Sequence, residues 1–279
     1  LFVANTHSYI LFFTDKGKCY WVKVYDIPEG GRAAKGRAIV NLIGCEPDEK
    51  VSAFISVKEF NDDHYVVMAT EKGMVKKTKL SAYSNPRKKG IYAVEIRDGD
   101  KLIEARVSTG DNDILLGTRN GKSIRFSEEQ IRASGRKTMG VKGITLSSED
   151  DRLVGMLLIK REGTVLVATE KGFGKRTEIS QYRAQKRGGK GVLTMKTTDK
   201  VGKMVTIKEV VDKDDLMIIT NQGVLIRLPV AQIRSIGRAT QGVKLIKLGE
   251  GTLVSSITRI MSEEEEDENN NTEPTDPKE

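Results

Sequence analysis

The chain has 279 residues, and its 47 lysine and arginine residues against 39 aspartate and glutamate residues give a formal net charge of +8. Residues 263–279 hold nine acidic side chains and one lysine, which leaves +16 on residues 1–262 and favours a polyanionic partner for that part. No run approaches the ~20 apolar residues of a membrane span, and two cysteines without a CxxC pair fit a reducing cytoplasm and indicate neither a disulfide framework nor a zinc site.

The first recurring element is an apolar run that ends in Thr, two polar residues and Gly, and then continues as a basic strand. It covers residues 10–23, 65–78, 114–126, 165–177 and 216–228. Its turn glycines, Gly17, Gly73, Gly121, Gly172 and Gly223, are 56, 48, 51 and 51 residues apart. Continuous apolar runs such as VVMAT, LVAT and MIIT predict strands covered on both faces. The Lys-Gly, Asn-Gly and Gln-Gly turns predict hairpins. KKTKL, SIRF and LIRL predict second strands with one packed and one charged face.

Three further elements follow each hairpin. A polar stretch such as SEEQIRAS predicts a short helical turn or loop. About twenty residues after the hairpin comes a basic, glycine-containing loop with a short apolar strand, in the copies GRAAKGRAIVNL, NPRKKGIYAVEI, GRKTMGVKGITL, QKRGGKGVLTMK and GRATQGVKLIKL. A fourth strand is predicted at VSAFISV, KLIEARV, LVGMLLI, MVTIKEV and LVSSITRI.

A fixed period near fifty residues with about four strands per repeat predicts an all-β, propeller-like array. We place the repeats at about residues 1–50, 51–101, 102–152, 153–203 and 204–262. Residues 263–279 have almost no apolar content and are predicted to form a disordered acidic tail. The chain starts within a strand-like segment and without an initiator Met, so we expect it to be a fragment.

The basic loops carry the predicted binding chemistry, because the same loop is basic in every repeat. Their cations are Arg32, Lys35 and Arg37; Arg87, Lys88 and Lys89; Arg136, Lys137 and Lys142; Lys186, Arg187 and Lys190; and Arg238 and Lys244. In a ring of blades, equivalent positions form one curved basic track. Nearby glycines would let backbone N–H groups approach phosphate oxygens. Aromatic residues are sparse in these loops, which favours duplex DNA over single strands.

One loop leads to a specific resemblance. QKRGGKG, residues 185–191, resembles the box motif of the C-terminal domain of bacterial DNA gyrase A, part of a type IIA topoisomerase, and the first repeat resembles the second blade of that domain. The resemblance implies a β-pinwheel of six blades that wraps duplex DNA in the positive sense, so that strand passage introduces negative supercoils. It also implies DNA contacts at Gln185, Lys186, Arg187, Gly188, Gly189, Lys190 and Gly191.

The resemblance further implies a non-catalytic part of an ATP-hydrolysing enzyme. The cleavage tyrosine lies in the larger N-terminal part of gyrase A and ATP is handled by gyrase B, so no cofactor is expected in this fragment. The expected partners are double-stranded DNA, the N-terminal cleavage part of gyrase A, and gyrase B in an A2B2 enzyme. The expected location is the bacterial cytoplasm, at the nucleoid and away from membranes.

Three points leave alternatives open. The family has six blades and this chain has five repeats, so we expect a blade to be missing upstream. The family's box lies in its first blade, whereas QKRGGKG lies in the fourth repeat here. Topoisomerase IV has a similar C-terminal domain, and a propeller scaffold that binds acidic protein partners would also carry a basic rim. Five recognisable loops favour gyrase, and the absence of aromatic hot spots argues against the scaffold.

Other motifs give no enzyme site. GTRNGKS has three residues where a P-loop needs four, and it lies in a predicted hairpin. Acidic groups near residues 111–113, 149–151 and 212–215 are predicted to form turns. With only two histidines in the chain, no catalytic Ser/His/Asp or Cys/His set is available.

Overall fold

The computed structural model describes residues 4–30, 36 and 38–260, which form antiparallel sheets with very little helix. The first repeat contains β1 (Tyr9–Thr14), β2 (Lys18–Lys23), α1 (Ile39–Ile43) and β3 (Val51–Val57). The second contains β4 (Tyr65–Thr70), β5 (Met74–Lys79), β6 (Ile91–Tyr92) and β7 (Leu102–Ser108). The third contains β8 (Asp113–Thr118), β9 (Lys122–Ser127), β10 (Val141–Lys142) and β11 (Leu153–Ile159). The fourth contains β12 (Thr164–Thr169), β13 (Phe173–Glu178), β14 (Val192–Leu193) and β15 (Met204–Val210). The fifth contains β16 (Asp215–Thr220), β17 (Leu225–Pro229), β18 (Val243–Lys244) and β19 (Val254–Ile260).

Five sheets result from these strands. Sheets 1 to 4 have the orders β3-β1-β2-β6, β7-β4-β5-β10, β11-β8-β9-β14 and β15-β12-β13-β18, and sheet 5 has the order β19-β16-β17. The prediction of an all-β pinwheel with about four strands per blade is confirmed. The repeat boundaries expected near residues 51, 102, 153 and 204 would place β3, β7, β11 and β15 in the following repeat. These strands pair with the hairpins before them, so each is assigned here to the repeat of that hairpin.

One strand of each four-stranded sheet comes from the next repeat. β6 pairs with β2, β10 with β5, β14 with β9 and β18 with β13. The sequence predicts this short strand in the second to fifth repeats, but its pairing partner lies outside its own repeat. Each repeat is therefore bound to the one before it by main-chain hydrogen bonds.

Each hairpin turn places its glycine at positive φ, between 78° and 84°, as the Lys-Gly, Asn-Gly and Gln-Gly pairs predict. A 3₁₀ turn follows each hairpin where a short helical turn or loop is expected. These turns cover residues 24–26, 80–83, 128–130, 179–181 and 230–232. The local sequence therefore specifies both the hairpin and the turn after it.

The prediction that the first hairpin strands are covered on both faces holds for β4 and β12, whose last five residues are all buried. In β4, Val66 and Met68 pack in the cluster shared with sheet 1, whereas Val67 and Ala69 pack in the cluster shared with sheet 3. The prediction is wrong for β16, where only alternate residues are buried. Among the described residues of its unit, only sheet 4 shares an apolar cluster with sheet 5.

Two further sequence predictions are corrected. The prediction of a strand at AIVNL is wrong, since Ile39–Ile43 form the helix α1, whereas the equivalent segments of the later repeats pair as strands. The charged face expected for KKTKL is reduced to Lys79, since Lys76, Lys77 and Thr78 are all buried. The buried ammonium groups are compensated within the protein, Lys76 by carbonyl oxygens and Lys77 by the Glu128 carboxylate.

The chain divides into two compact units. The N-terminal unit contains described residues 4–160 and 182–194, and therefore sheets 1, 2 and 3. The C-terminal unit contains described residues 161–181 and 195–260, with sheets 4 and 5. The predicted acidic tail, residues 263–279, lies outside the described residues. No helix in the described part of the chain is long and apolar enough to cross a membrane.

Candidate nucleic-acid interface

Each basic loop connects the hairpin of its own repeat to the short strand that pairs with the sheet of the preceding repeat. We number them by the repeat that contains them: loop 2 (residues 85–90), loop 3 (135–140), loop 4 (185–191) and loop 5 (237–242). Each loop begins shortly after a 3₁₀ turn and ends at the exchanged strand, as in the pairing of Ile91 with Cys19 or of Val192 with Ser123. The cations are therefore carried on the junctions between repeats.

The last glycine of each loop is required by close packing and by its backbone conformation. Gly90, Gly140, Gly191 and Gly242 all have positive φ, between 69° and 81°. A Cβ at Gly140 would lie 2.4 Å from the Val75 carbonyl oxygen, and one at Gly191 would lie 2.3 Å from the Ser123 carbonyl oxygen. These glycines allow the loop to pack closely on the preceding hairpin. The sequence pattern predicts phosphate approach for two of them, Gly90 and Gly191, and that role stays a prediction.

Main-chain hydrogen bonds join the segment that follows an exchanged strand to the next basic loop along the chain. In the N-terminal unit, Glu95 N–H donates to the Thr138 carbonyl (3.1 Å) and Thr145 N–H donates to the Gly189 carbonyl (2.9 Å). Gly188 N–H donates to the Gly143 carbonyl (2.6 Å), so this N–H group is already used within the protein. Loop 3 is therefore held against the segment after β6, and loop 4 against the segment after β10.

The C-terminal unit repeats this arrangement once. Lys196 N–H donates to the Thr240 carbonyl in loop 5 (3.0 Å). The loop glycine Gly242 has a φ of 75°, and a Cβ there would lie 2.6 Å from the Gly174 carbonyl oxygen. The same local construction therefore holds loop 5 against sheet 4.

Polar side chains of the second hairpin strand hold the next repeat in place. Trp21 Nε1 donates to the Tyr83 carbonyl (2.9 Å), and Arg176 Nε donates to the Ile233 carbonyl (2.8 Å). Arg125 donates to the Tyr182 carbonyl (3.3 Å) and forms an ion pair with Asp113 (2.6 Å). These donors bind the 3₁₀ turns, or their ends, and so fix where each basic loop begins.

The loops and the exchanged strands that follow them carry cations exposed to solvent. Within the described residues, none of them forms an ion pair with a carboxylate. They are Arg87, Lys88 and Lys89, Lys137 and Lys142, Lys186 and Lys190, and Lys244. Lys244 Nζ lies 5.7 Å from the centre of the Phe173 ring, close enough for a cation–π contact.

The other predicted site residues are half-buried or undescribed. Arg136 donates to the Tyr92 carbonyl (3.1 Å), and Arg187 donates to the Lys142 carbonyl (3.1 Å) and to the Gln130 carbonyl (3.0 Å). These two arginines tie one loop to its neighbour. Gln185, Gly188, Gly189, Gly191 and Arg238 are also half-buried. The candidates Arg32, Lys35 and Arg37 lie outside the described residues.

A second set of basic residues was missed in the sequence. Arg132, Arg183 and Arg234 follow the 3₁₀ turns, all are exposed, and they are 51 residues apart. Each lies a few residues before a basic loop and extends its charge toward the hairpin. Their constant spacing is the signal that could have identified them.

Acidic side chains in the inter-strand loops serve as turn formers, as the sequence predicts. The Asp151 carboxylate accepts hydrogen bonds from the backbone N–H groups of Asn120 (2.9 Å) and Arg152 (3.0 Å). The buried Asp214 carboxylate accepts from Val211 N–H (2.9 Å). In the described part of the chain, no three acidic, histidine or cysteine side chains are grouped so that they could hold a metal ion.

Comparison with known proteins identifies the family. The model of the DNA gyrase C-terminal domain, a beta-propeller, matches residues 8–58, 64–109, 112–160, 163–210 and 214–260. The chain belongs to the DNA gyrase C-terminal domain family. DNA gyrase A of Staphylococcus epidermidis is 45% identical over 268 residues, which is 95% of this chain and 30% of that protein. The chain thus spans about a third of the curated gyrase relatives it matches.

Two solved structures share the fold of this gyrase-family domain. The crystal structure of the C-terminal domain of DNA topoisomerase IV superposes with a TM-score of 0.84 at 26% identity, covering 92% of this chain and 80% of that one. A structure of the DNA gyrase A C-terminal domain gives 0.81 at 24% identity, covering 92% and 84%. The family model and the 45% identity to a gyrase A protein favour the gyrase assignment, whereas the two solved structures, at 26% and 24% identity, do not separate gyrase from topoisomerase IV.

Proposed function

We propose that this domain binds duplex DNA along its basic loops and wraps it, so that a type II topoisomerase of the gyrase class can introduce negative supercoils. The observation that carries the proposal is that loops 2, 3 and 4 of the N-terminal unit all carry exposed cations, while main-chain hydrogen bonds hold loops 3 and 4 against the segments that follow β6 and β10. Cations that contact phosphates position DNA without reading its sequence.

Charge magnitude supports backbone binding. If about ten loop cations neutralise phosphates, the logarithm of the affinity should fall with the logarithm of salt concentration at a slope of about −9. Smooth bending of a 20–30 base-pair segment by 40–90° costs on the order of 1–6 kcal/mol, and only contacts repeated along the path offset this cost. A run of equivalent loops supplies such repeated contacts, whereas one isolated patch would bind DNA without bending it.

In this proposal the domain contributes binding rather than bond cleavage. The partners are double-stranded DNA, the N-terminal cleavage part of gyrase A, and gyrase B in an A2B2 enzyme, with the assembly acting in the bacterial cytoplasm on the nucleoid. The exposed arginines Arg132, Arg183 and Arg234 join the predicted contacts in this interface.

A ligation assay tests the proposal. Nicked circular plasmid is closed by ligase in the presence of increasing protein, and the linking number of the deproteinised product is read on a gel. A protein-dependent positive shift supports chiral wrapping. Binding without a shift would mean that the domain holds DNA without wrapping it, and no binding would favour the scaffold for acidic proteins.

A charge-matched pair of variants sharpens the assay. Replacing Arg87, Lys88 and Lys89 of loop 2 by Gln should reduce the shift and weaken the salt dependence. The control replaces Lys50, Lys58 and Lys200 by Gln, since these exposed lysines flank β3 and β15 at the sheet edge opposite the exchanged strands. Equal losses in the two variants would indicate a non-specific charge effect and contradict the proposed interface.

A further inference from the structure

Two buried lysines lie directly beneath two of the basic loops. Lys76 on β5 is 1% exposed and Lys175 on β13 is 0% exposed, and they occupy equivalent positions three residues after the hairpin glycine. Lys76 Nζ donates to the Ala93 carbonyl (2.8 Å) and to the Arg136 carbonyl. Lys175 Nζ donates to the Gly237 carbonyl (2.7 Å), to the Arg238 carbonyl and to Thr240 Oγ1 (3.0 Å).

These ammonium groups are held by carbonyls in place of counter-ions. Among the described residues, neither lysine has a carboxylate within ion-pair distance. Burying a charge is costly unless hydrogen bonds compensate, and here the compensating oxygens belong to loops 3 and 5, together with the Ala93 carbonyl that follows β6. The lysine therefore fixes the orientation of the loop peptides, with the carbonyls of Arg136 and Arg238 turned inward.

A lysine occupies this position only in sheets 2 and 4 of the five described sheets. The equivalent position is Tyr20 in sheet 1, Ile124 in sheet 3 and Ile226 in sheet 5. Both loops that cover a lysine have the pattern Gly-Arg-x-Thr-x-Gly, in GRKTMG and GRATQG, whereas Ile124 lies under QKRGGKG. In that loop Arg187 makes the carbonyl contacts instead.

We propose that Lys76 and Lys175 are positioning residues for DNA binding, each locking a Gly-Arg-x-Thr-x-Gly loop so that its exposed cations meet the phosphates. The inference rests on the proposed function and assigns a partner to each lysine. Lys76 positions the exposed Lys137 and Lys142, and Lys175 positions the exposed Lys244. Neither buried lysine touches DNA itself.

The charge of these lysines couples DNA binding to pH. Burial lowers the pKa of Lys76 to about 7, with the Arg136 guanidinium acting in the same direction and the Glu95 carboxylate opposing it. Burial, assisted by the Arg238 guanidinium, lowers the pKa of Lys175 to about 8. Phosphates brought near the loops favour the protonated lysines, so by linkage the affinity for DNA falls as pH rises through these values.

The test compares DNA affinity in Lys76→Met and Lys175→Met with that of the unaltered protein, using a 40-base-pair duplex of random sequence. Each variant should bind about three- to tenfold more weakly, with a salt slope smaller by about one. The control Ile124→Met places the same side chain at the equivalent position of sheet 3 and should leave both quantities unchanged. Thermal unfolding of every variant is measured to confirm folding.

Two further measurements separate positioning from general structural damage. In a Lys137→Gln, Lys142→Gln background, adding Lys76→Met should lower the affinity for DNA less than twofold, because the cations that Lys76 positions are gone. The unaltered protein should lose affinity between pH 6.5 and 9, and the double variant Lys76→Met, Lys175→Met should lose markedly less.

The outcomes distinguish this inference from the proposed function. If the unaltered protein does not bind the duplex, the proposed function itself fails. If it binds, and the folded Met variants match it in affinity, salt slope and pH profile, the positioning role alone is overturned. Should a Met variant not fold, the pH profile of the unaltered protein decides, since a flat profile between pH 6.5 and 9 contradicts the inference.

Discussion

Single residues decide how closely each basic loop lies on the preceding hairpin. The loop glycines combine a left-handed backbone with main-chain neighbours inside normal contact distance, while polar side chains on the hairpin supply donors for the loop carbonyls. Neither the glycine contacts nor these hydrogen bonds can be inferred from the charge pattern of the sequence. Both determine the positions of the exposed cations. The residue scale is therefore where loop position is most sensitive to substitution.

The loop glycine Gly191 provides a direct test. Gly191→Ala should destabilise the protein by about 3 kcal/mol or more, because the left-handed conformation costs ~1–2 kcal/mol and overpacking typically costs ~1–3 kcal/mol. The control Gly251→Ala has a similar φ, 71°, and no atom within 4 Å of the added Cβ, so only the conformational cost applies. Chemical denaturation measures both, and equal losses would show that the contact with Ser123 contributes nothing.

The depressed pKa of Lys76 predicts how stability depends on pH. Its folded-state pKa of about 7 lies below the ordinary value of 10.5, so between these values the unfolded state binds more protons and the free energy of unfolding rises with pH. One pKa unit corresponds to ~1.4 kcal/mol. Relative to Lys76→Met, the unaltered protein should gain about 1–3 kcal/mol between pH 6 and 9. Urea titrations at each pH measure this difference, and a constant difference would contradict the shifted pKa.

At the scale of elements, the exchanged strands join consecutive repeats. β6, β10, β14 and β18 each contain two residues, too few to form a stable pair without the glycine contact and the loop hydrogen bonds around them. β17 of sheet 5 has no such partner among the described residues, and its first residue Leu225 and the preceding Val224 are exposed. Sheet edges of this kind leave backbone groups unpaired.

Hydrogen exchange should distinguish the two kinds of edge. Amide protons in β17 that point away from β16 should exchange at least about tenfold faster than their equivalents in β13, which pair with β18. Mass spectrometry of peptides covering residues 224–229 and 173–178 measures both strands in one sample. Equal protection would mean that another segment covers the edge of β17.

At the scale of the whole molecule, charge is divided along the chain. Residues 1–262 carry +16 and residues 263–279 carry −8, so the tail is a potential competitor for the surface that binds DNA. The tail lies outside the described residues, and its competition is inferred from its composition alone. Screening over ~10 Å at 0.1 M salt limits such competition to low and moderate ionic strength.

Removing the tail tests this competition. A chain ending at residue 262 should bind duplex DNA more tightly than the full chain at 50 mM salt, and the difference should shrink as salt increases. The control replaces the acidic residues of 263–279 by Asn and Gln at constant length, which should reproduce the effect of the deletion. Unchanged affinity after deletion would remove the competition hypothesis.

The sequence by itself determined the period, the hairpins, the 3₁₀ turns and the basic loops, because each depends on local rules: apolar runs, Gly turns and repeated charge. It predicted covered strands correctly where neighbouring sheets lie on both sides, as for β4, and wrongly for β16. Only the tertiary structure decided that the short strands pair with the preceding hairpin and that Lys76 and Lys175 are buried beneath loops. Pairing partners and the direction of a long side chain depend on contacts between segments some sixty residues apart, which no local pattern encodes.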